Sequence, residues 1–308
     1  MLLLAVSGGI DSMYLLNRAG EIFPGEGFVV AHCNFCLRAA ESDADEAFVR
    51  DACSERGLEF VSRRFAAASV ASERGVSVEM AARDLRYEWF SDLCRERELE
   101  AVVVAHNAND NAETLLLNML RGTGTRGMRG MSPDCTLQTP PLRILRPLLG
   151  VTRGEIRSWM EQRGLGWRED STNAESEMKR NKLRNLVFPV LSGINPSFIQ
   201  TLASDMKHVG EVDDIAEDYF REARGKVLRQ EGVIDVKSLL ALRHWRYVLF
   251  RLVEGCGFSA RTFDKLTALL ERYRNEAPGT VTLSGKTFES PTHVLRAAGR
   301  TLLLQIRH

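Results

Sequence analysis

No apolar run in this 308-residue chain is long enough to cross a membrane. The short apolar start, Met1 to Val6, lacks the basic region of a secretory signal. Its six cysteines have no disulfide-framework spacing, which argues against a small oxidised secreted domain and fits a reducing cytoplasm. Net charge is missing too: 41 basic residues stand against 41 acidic ones, so the global balance neither identifies nor excludes a nucleic-acid partner. Internal repeats and low-complexity segments are absent. Two common nucleotide fingerprints, a Gly-Lys-Ser/Thr ending and G-x-G-x-x-G, are also missing after the first strand. What is present is apolar content, 44% of residues, sufficient for cores in two domains.

The chain is organised around Ser7-Gly8-Gly9-Ile10-Asp11-Ser12, between the apolar run Leu2 to Val6 and a stripe containing Leu15 and Leu16. Strand, small-residue turn and helix follow in that order. Two glycines let the backbone turn so that successive N–H groups converge on one anion, and the helix adds its positive end. Such a nest suits phosphate or pyrophosphate. Further short apolar strands are expected at Phe28 to Ala31 (ending at His32), Leu58 to Val61 and Ala101 to Ala105. Helices are expected at Asp43 to Cys53, Ser77 to Leu99 and Asn111 to Leu120. This alternation predicts an α/β fold with a doubly wound, mostly parallel sheet. Ligands sit at the carboxyl ends of such strands, where the loop, His32 and His106 all fall. A strand at Leu142 to Pro147 closes the unit, and a short helix follows at Arg153 to Arg163. A long acidic helix is expected from Ser197 to about Gln230, two helices between Val233 and Arg274, and strands at Val281 to Leu283 and Thr301 to Leu304. The expected domains are 1–215 and a smaller α+β domain, 216–308.

Several constellations carry chemistry. His106 to Thr114 lies between a strand and a helix, and Asp110 there could bind a cation or accept a proton from an amine. Helix capping by Asn109 or Asp110, with Glu113 favoured by the dipole, is the competing explanation. Arg83 and Arg86 share a helix face and could clamp a phosphate, or bridge Glu79 and Asp84. Between Arg143 and Arg184 ten basic residues stand against six acidic ones, a footprint for nucleic acid or a solvated helix face. Cys33 and Cys36 have C-x-x-C spacing, but Cys53, Cys94, Cys135 and Cys256 are isolated, so two thiols near a pocket fit better than a metal site.

Ser7 to Ser12 resembles the PP-loop of the ATP pyrophosphatase superfamily. Residues 1–200 as a whole resemble the tRNA(Ile)-lysidine synthetase family. After the loop come His32-x-Asn34, Ala81-Ala82-Arg83-x-x-Arg86-Tyr87, His106…Asp110…Glu113-Thr114 and Arg121-Gly122-x-Gly124. Arg146-Pro147-Leu148, Asp170-Ser171-x-Asn173 and Arg180-Asn181-x-x-Arg184 complete the series. The resemblance implies a cytoplasmic enzyme that uses ATP and Mg²⁺ to adenylate the wobble cytidine of a CAU-anticodon tRNA(Ile). Free L-lysine then displaces AMP to leave lysidine. It implies Asp11, Asp110 and Arg83 as catalytic residues. Ser7, Gly8, Gly9, Ile10, Asp11, Ser12, His32 and His106 would bind ATP, with Mg²⁺ at Asp11 as the single protein–metal contact. Asn109, Glu113, Arg86, Arg121, Arg146, Arg180 and Arg184 would contact lysine or tRNA. The second domain would bind tRNA, a homodimer is compatible, and no membrane is involved.

Three positions depart from the family pattern. Asn109 replaces the first of two aspartates, Phe35 stands where many relatives have histidine, and the further C-terminal domain of longer relatives is expected to be absent. A tRNA thiolase of the same superfamily is the alternative, but its upstream C-x-x-C has no counterpart in Glu79 to Trp89. A small-molecule amidotransferase-type synthetase would need a glutaminase domain or partner. A non-catalytic ATP- or RNA-binding protein is the remaining rival.

Overall fold

The computed structural model describes residues 1–37, 40–168, 177–277 and 280–307. It divides into two compact units, Met1–Gly210 and Glu211–His308.

The first unit is built on a six-stranded sheet of β1 (Leu2–Ala5), β2 (Phe28–Asn34), β3 (Glu59–Arg64), β4 (Val102–Val103), β5 (Asp134–Gln138) and β6 (Pro141–Leu145). The spatial order is β3-β2-β1-β4-β6-β5. All neighbours pair in parallel except β5, which runs antiparallel to β6 at the edge. Its helices are α1 (Ile10–Ile22), α2 (Ala40–Glu55), α3 (Ala67–Arg74), α4 (Val78–Glu96), α5 (Ala108–Arg121), α6 (Thr125–Met128), α7 (Arg153–Gln162), α8 (Glu177–Lys182), α9 (Phe188–Ile194) and the first part of α10 (Phe198–Val227). A π-helical segment, Leu183–Val187, joins α8 to α9.

The apolar strands are continuous because both sheet faces are covered. Leu4, Val30 and Val103 point to a core with Leu15, Val49, Ile156 and Met160 of α1, α2 and α7. Their neighbours Leu3, Val29 and Val102 point the other way, to Phe90 of α4 and Ile144 of β6. Each such side chain contributes about 1.5–3 kcal/mol by leaving water. The order reverses at β1: the chain runs outward through β2 and β3, then returns to place β4 on β1's other side. A crevice therefore opens at the carboxyl ends of β1 and β4.

The expected doubly wound α/β class is thus the observed one, with local differences. β2 continues to Asn34, so His32 lies within the strand rather than at its end. Helix α3 was not anticipated, because its alanines and polar residues give no strong apolar stripe. Strand β5 was also missed: it is an exposed edge paired only with β6.

The second unit contains β7 (Leu228–Gln230), β8 (Val233–Asp235), β9 (Thr287–Glu289), β10 (His293–Ala298) and β11 (Thr301–Ile306). They form an antiparallel sheet ordered β7-β8-β11-β10-β9. With them are α11 (Val236–Ala241), α12 (Trp245–Val253) and α13 (Ala260–Asn275). Trp245, Leu249, Leu270, Leu295 and Leu302 make its core. The expected α+β character holds, but 233–274 carries a strand and three helices rather than two helices. Leu283 is buried outside any strand. Among the described residues no single helix is long and apolar enough to cross a membrane.

Candidate active site

Gly8 makes the turn after β1 with φ +96°, a conformation that costs side-chain-bearing residues. Gly9 has ordinary extended dihedrals and forms the N-cap of α1. A Cβ on Gly9 would meet only Ser7 Oγ, at 3.6 Å. Neither backbone conformation nor protein packing demands glycine there; the space it leaves faces the crevice.

The N–H groups of the loop converge, but on a protein atom. Ser7 N and Gly8 N donate to Ser12 Oγ at 3.2 and 3.1 Å, and that hydroxyl donates to Gly9 O at 2.9 Å. Ser12 therefore braces the turn from within. The groups facing an incoming anion are the Ser7 hydroxyl and the N–H groups of Ile10, Asp11 and Ser12, which open α1 ahead of its first backbone bond (Met13 N to Gly9 O, 2.9 Å). The Ile10 side chain is only 5% exposed and belongs to the core, leaving its backbone for a ligand.

A cavity of about 440 Å³, of small-ligand size, opens beside the loop; Ser7, Gly9, Asp11, Ser12, His32 and His106 all line it. His32 is 3% exposed, and its Nδ1 lies 2.9 Å from Val6 O. A carbonyl only accepts, so Nδ1 carries the proton and Nε2 is left as an acceptor. His106 has the opposite arrangement. Arg146 Nε donates to its Nδ1 at 3.3 Å, so the neutral ring carries its proton on Nε2. Burial pushes the His106 pKa down to about 4, with Arg146 helping and Asp110 opposing. Burial likewise lowers His32. Two neutral imidazoles, one an acceptor and one a donor, thus border the cavity. Arg146, 9% exposed, is further held by donating to Ser132 O at 2.8 Å.

Helix α5 brings the acidic residues to the crevice. Its N-cap is Asn107, neither Asn109 nor Asp110. Asn107 Oδ1 accepts from Asp110 N (3.0 Å), and Asp110 Oδ2 accepts from Asn107 N (3.1 Å), closing a capping box. Asn107 Nδ2 also donates to Asp11 Oδ1 at 3.0 Å. Burial, then the Asp110 charge, pushes the Asp11 carboxyl above its ordinary value. Asn109 Oδ1 accepts from Arg153 N at 3.0 Å. Glu113 is 1% exposed and takes two bonds from Arg184, while Arg180 lies 3.9 Å away. Burial raises the Glu113 pKa and the Arg184 bonds oppose it. Arg184 Nη2 also reaches Asp110 Oδ1 at 3.4 Å.

Arg86 lines the cavity and lies 5.3 Å over the Phe35 ring. Arg83 is exposed, sits over Tyr87 at 5.0 Å and is one of the cations that lower the His106 pKa. Arg121 ends α5, about 20 Å of helix from the capping box, and is exposed. Asn34 is bound to Glu46 (2.9 Å) and Asp43 (3.1 Å), a structural tie beneath β2. The Asp170-Ser171-x-Asn173 motif lies outside the described residues. Two participants were not singled out by sequence reasoning. Arg168 lines the cavity, pairs with Asp45 (2.8 Å) and donates its backbone N–H to Gly8 O (2.9 Å). Asn107 was visible only as a good N-cap residue before an apolar helix.

A doubly wound sheet with a Ser-Gly-Gly-x-Asp-Ser turn at its switch point defines a phosphate-binding α/β protein. The chain belongs to the PP-loop domain family, whose model matches residues 1–191. It is 43% identical over 313 residues to a tRNA(Ile)-lysidine synthase of Porphyromonas gingivalis, covering 99% of this chain and 64% of that one. Its identity to the Parabacteroides distasonis protein of the same name is 36% over 293 residues, covering 95% and 63%. The Chlorobaculum tepidum protein of that name is 44% identical over 219 residues, covering 69% and 63%. The chain thus spans a little under two thirds of these relatives' length. Among solved structures it is similar to a U34-tRNA thiolase of Methanococcus maripaludis, with TM-score 0.56 and 16% identity over 68% of this chain and 72% of that one. That is a likeness of fold.

Proposed function

We propose that this chain catalyses ATP-dependent joining of lysine to the wobble cytidine of a CAU-anticodon tRNA(Ile). The names of its sequence relatives support the reaction class. The observation that carries the reading is the joining of Asp11 and Asp110 through Asn107, beside the loop and its cavity.

In the first step the C2 oxygen of cytidine attacks the α-phosphorus of ATP and pyrophosphate leaves. Amides opening α1 and the Ser7 hydroxyl bind the phosphates, and the neutral histidines offer one acceptor and one donor to the nucleotide. In the second step the ε-amine of lysine attacks C2, the C2–O bond to AMP breaks, and the amine gives up a proton. Asp110 orients the amine and assists that proton loss; Glu113, held by Arg184, keeps negative charge behind it. Arg86, Arg146, Arg180 and Arg184 supply positive charge for RNA phosphate or the lysine carboxylate, and Arg121 is available to RNA outside the pocket. The unit 211–308 binds tRNA.

Among the described residues no group of three or more His, Cys, Asp or Glu side chains could hold a metal unaided. Asp11 and Asp110 nevertheless fit Mg²⁺, which uses one or two carboxylates when substrate phosphates complete its shell. When bound, the ion would offset charge on the leaving pyrophosphate. Sulfur transfer, the thiolase alternative, suits the site less well. The thiol lining the cavity, Cys33, is pushed by burial up to about 12 and is therefore a poor nucleophile.

The test is AMP and pyrophosphate release from ATP with CAU-anticodon tRNA(Ile) transcript, with and without labelled lysine, for wild type and Asp110→Asn. Asn can still accept the Asn107 N–H bond, so the fold should survive. Lysine should become tRNA-bound in wild type and not in the variant. Pyrophosphate release unaffected by lysine would point to another nucleophile, and near-normal lysidine formation by the variant would refute the role of Asp110.

A further inference from the structure

Beyond the two carboxylates themselves, we propose that Asn107 is a positioning residue that locks Asp11 and Asp110 into one unit facing the nucleotide. This rests on the reading that the cavity takes Mg²⁺ and ATP. Asn107 is 1% exposed, so water does not compete for its amide. All of its polar groups are directed. Oδ1 faces the Asp110 N–H at 3.0 Å, which fixes the orientation of the amide, because a flipped amide would set donor against donor. Nδ2 must then face outward from the helix, and it meets Asp11 Oδ1 at 3.0 Å. The backbone N–H of the same residue donates to Asp110 Oδ2 at 3.1 Å, while its carbonyl accepts from Asn111 N at 3.1 Å.

One residue therefore touches the carboxylate at the start of α1 and the carboxylate in the first turn of α5. The bonds to both are charge-assisted, and each fixes one oxygen so that the other is directed away from the amide. Without this link the two like-charged groups would repel and rotate apart. Helix capping alone would need an acceptor oxygen and nothing more. Asparagine supplies a donor as well, aimed at the site, and the donor is what the proposal assigns to function.

That difference gives a test in which folding and positioning separate. Asn and Ser cap helices about equally well, so Asn107→Ser keeps the cap and removes the donor to Asp11. Asn107→Ala removes both. We would measure ATP binding by calorimetry across a Mg²⁺ titration, and urea unfolding in parallel. Asn107→Ser should unfold at near wild-type urea, yet bind ATP at least about tenfold more weakly at limiting Mg²⁺. The deficit should be non-additive with Asp11→Ala, since both changes break the same bond. Pyrophosphate release should fall in kcat more than it rises in KM.

If Asn107→Ser binds ATP like wild type and only Asn107→Ala is impaired, Asn107 is a cap and the proposal is overturned. Loss of ATP binding that tracks loss of stability across both variants would overturn it equally. A wild type that binds Mg²⁺ and ATP but never joins lysine to RNA would refute the proposed reaction while leaving the Asn107 assignment standing. A wild type that binds no ATP would refute both.

Discussion

The ion pair of Glu113 with Arg184 should break asymmetrically. Glu113 is 1% exposed, whereas the Arg184 side chain retains 27% of its exposure. Converting the carboxylate to an amide, Glu113→Gln, leaves a guanidinium that still reaches Asp110 Oδ1 at 3.4 Å and is already part-exposed to water. The cost is that of a lost hydrogen bond, about 1–2 kcal/mol. Converting the other partner, Arg184→Met, leaves a buried carboxylate whose remaining cation, Arg180, lies at 3.9 Å. Removing one member of a buried pair costs about 3–5 kcal/mol; the half-exposed arginine places this case near the lower figure. Protonation limits the damage. Burial already holds the Glu113 pKa above its ordinary 4.5 despite Arg184, so between 4.5 and that raised value the folded state keeps a proton that the unfolded chain releases. A raised folded-state pKa contributes stability at low pH that is lost as pH rises through that value. Without Arg184 the folded-state pKa climbs further and the window widens upward. Urea unfolding of both variants at about pH 5 and about pH 8 should therefore give a pH-dependent deficit for Arg184→Met, larger at pH 8 by roughly 1.4 kcal/mol per unit of added shift. The deficit for Glu113→Gln should instead shrink as pH rises, because only the wild type loses the stability linked to that carboxyl. Equal costs for the two variants, or an Arg184→Met deficit that is flat with pH, would refute the reasoning.

The two loop glycines should fail differently. Gly8→Ala, at φ +96°, should lose about 2 kcal/mol of stability in urea unfolding. Gly9→Ala should lose less than about 1 kcal/mol but bind ATP at least about tenfold more weakly, because its methyl group points to ligand space; intact ATP binding would remove phosphate from that space. Arg146→Met leaves Ser132 O and His106 Nδ1 without their donor, which should cost about 2 kcal/mol. It should also raise the His106 pKa from about 4 toward its ordinary 6.5, read by the ring's proton resonances. A buried neutral histidine contributes stability that is full above the ordinary value and is lost as pH falls toward the folded-state value. The variant should therefore lose that dependence over part of the range, and an unchanged His106 titration would refute the role given to Arg146.

The elements that position the site were the legible ones. Leu2 to Val6, Phe28 to Ala31 and Ala101 to Ala105 read as buried strands because both faces of the sheet are covered, and His106 fell at a carboxyl end as expected. His32 was misplaced by two residues: polar Asn34 is held by Glu46 and Asp43, a tie that no apolar pattern reveals. The carboxylate-bearing helix was anticipated, but its cap was not. Asn107, Asn109 and Asp110 are all good capping types, and only the path of the chain after Val103 decides among them. Which of Arg83 and Arg86 lines the cavity has a similar origin. They share a helix face by spacing, and about 60° of rotation, together with Phe35 on a distant strand end, decides which one meets the cavity. Strand β5 and helix α3 were hidden because their stability comes from neighbours rather than from their own periodicity.

The hydroxyl of Ser12 at the centre of the turn has a thermodynamic meaning. A Gly-Gly loop should be floppy, and closing it around a ligand would normally charge the ordering entropy against affinity. Here the loop is already closed around an internal oxygen, so the ordering is completed during folding and a phosphate meets a cradle of fixed shape. Ser12→Ala should accordingly transfer that entropy to the binding step: calorimetry of ATP association should become more unfavourable in entropy even where the contacts to phosphate are unchanged.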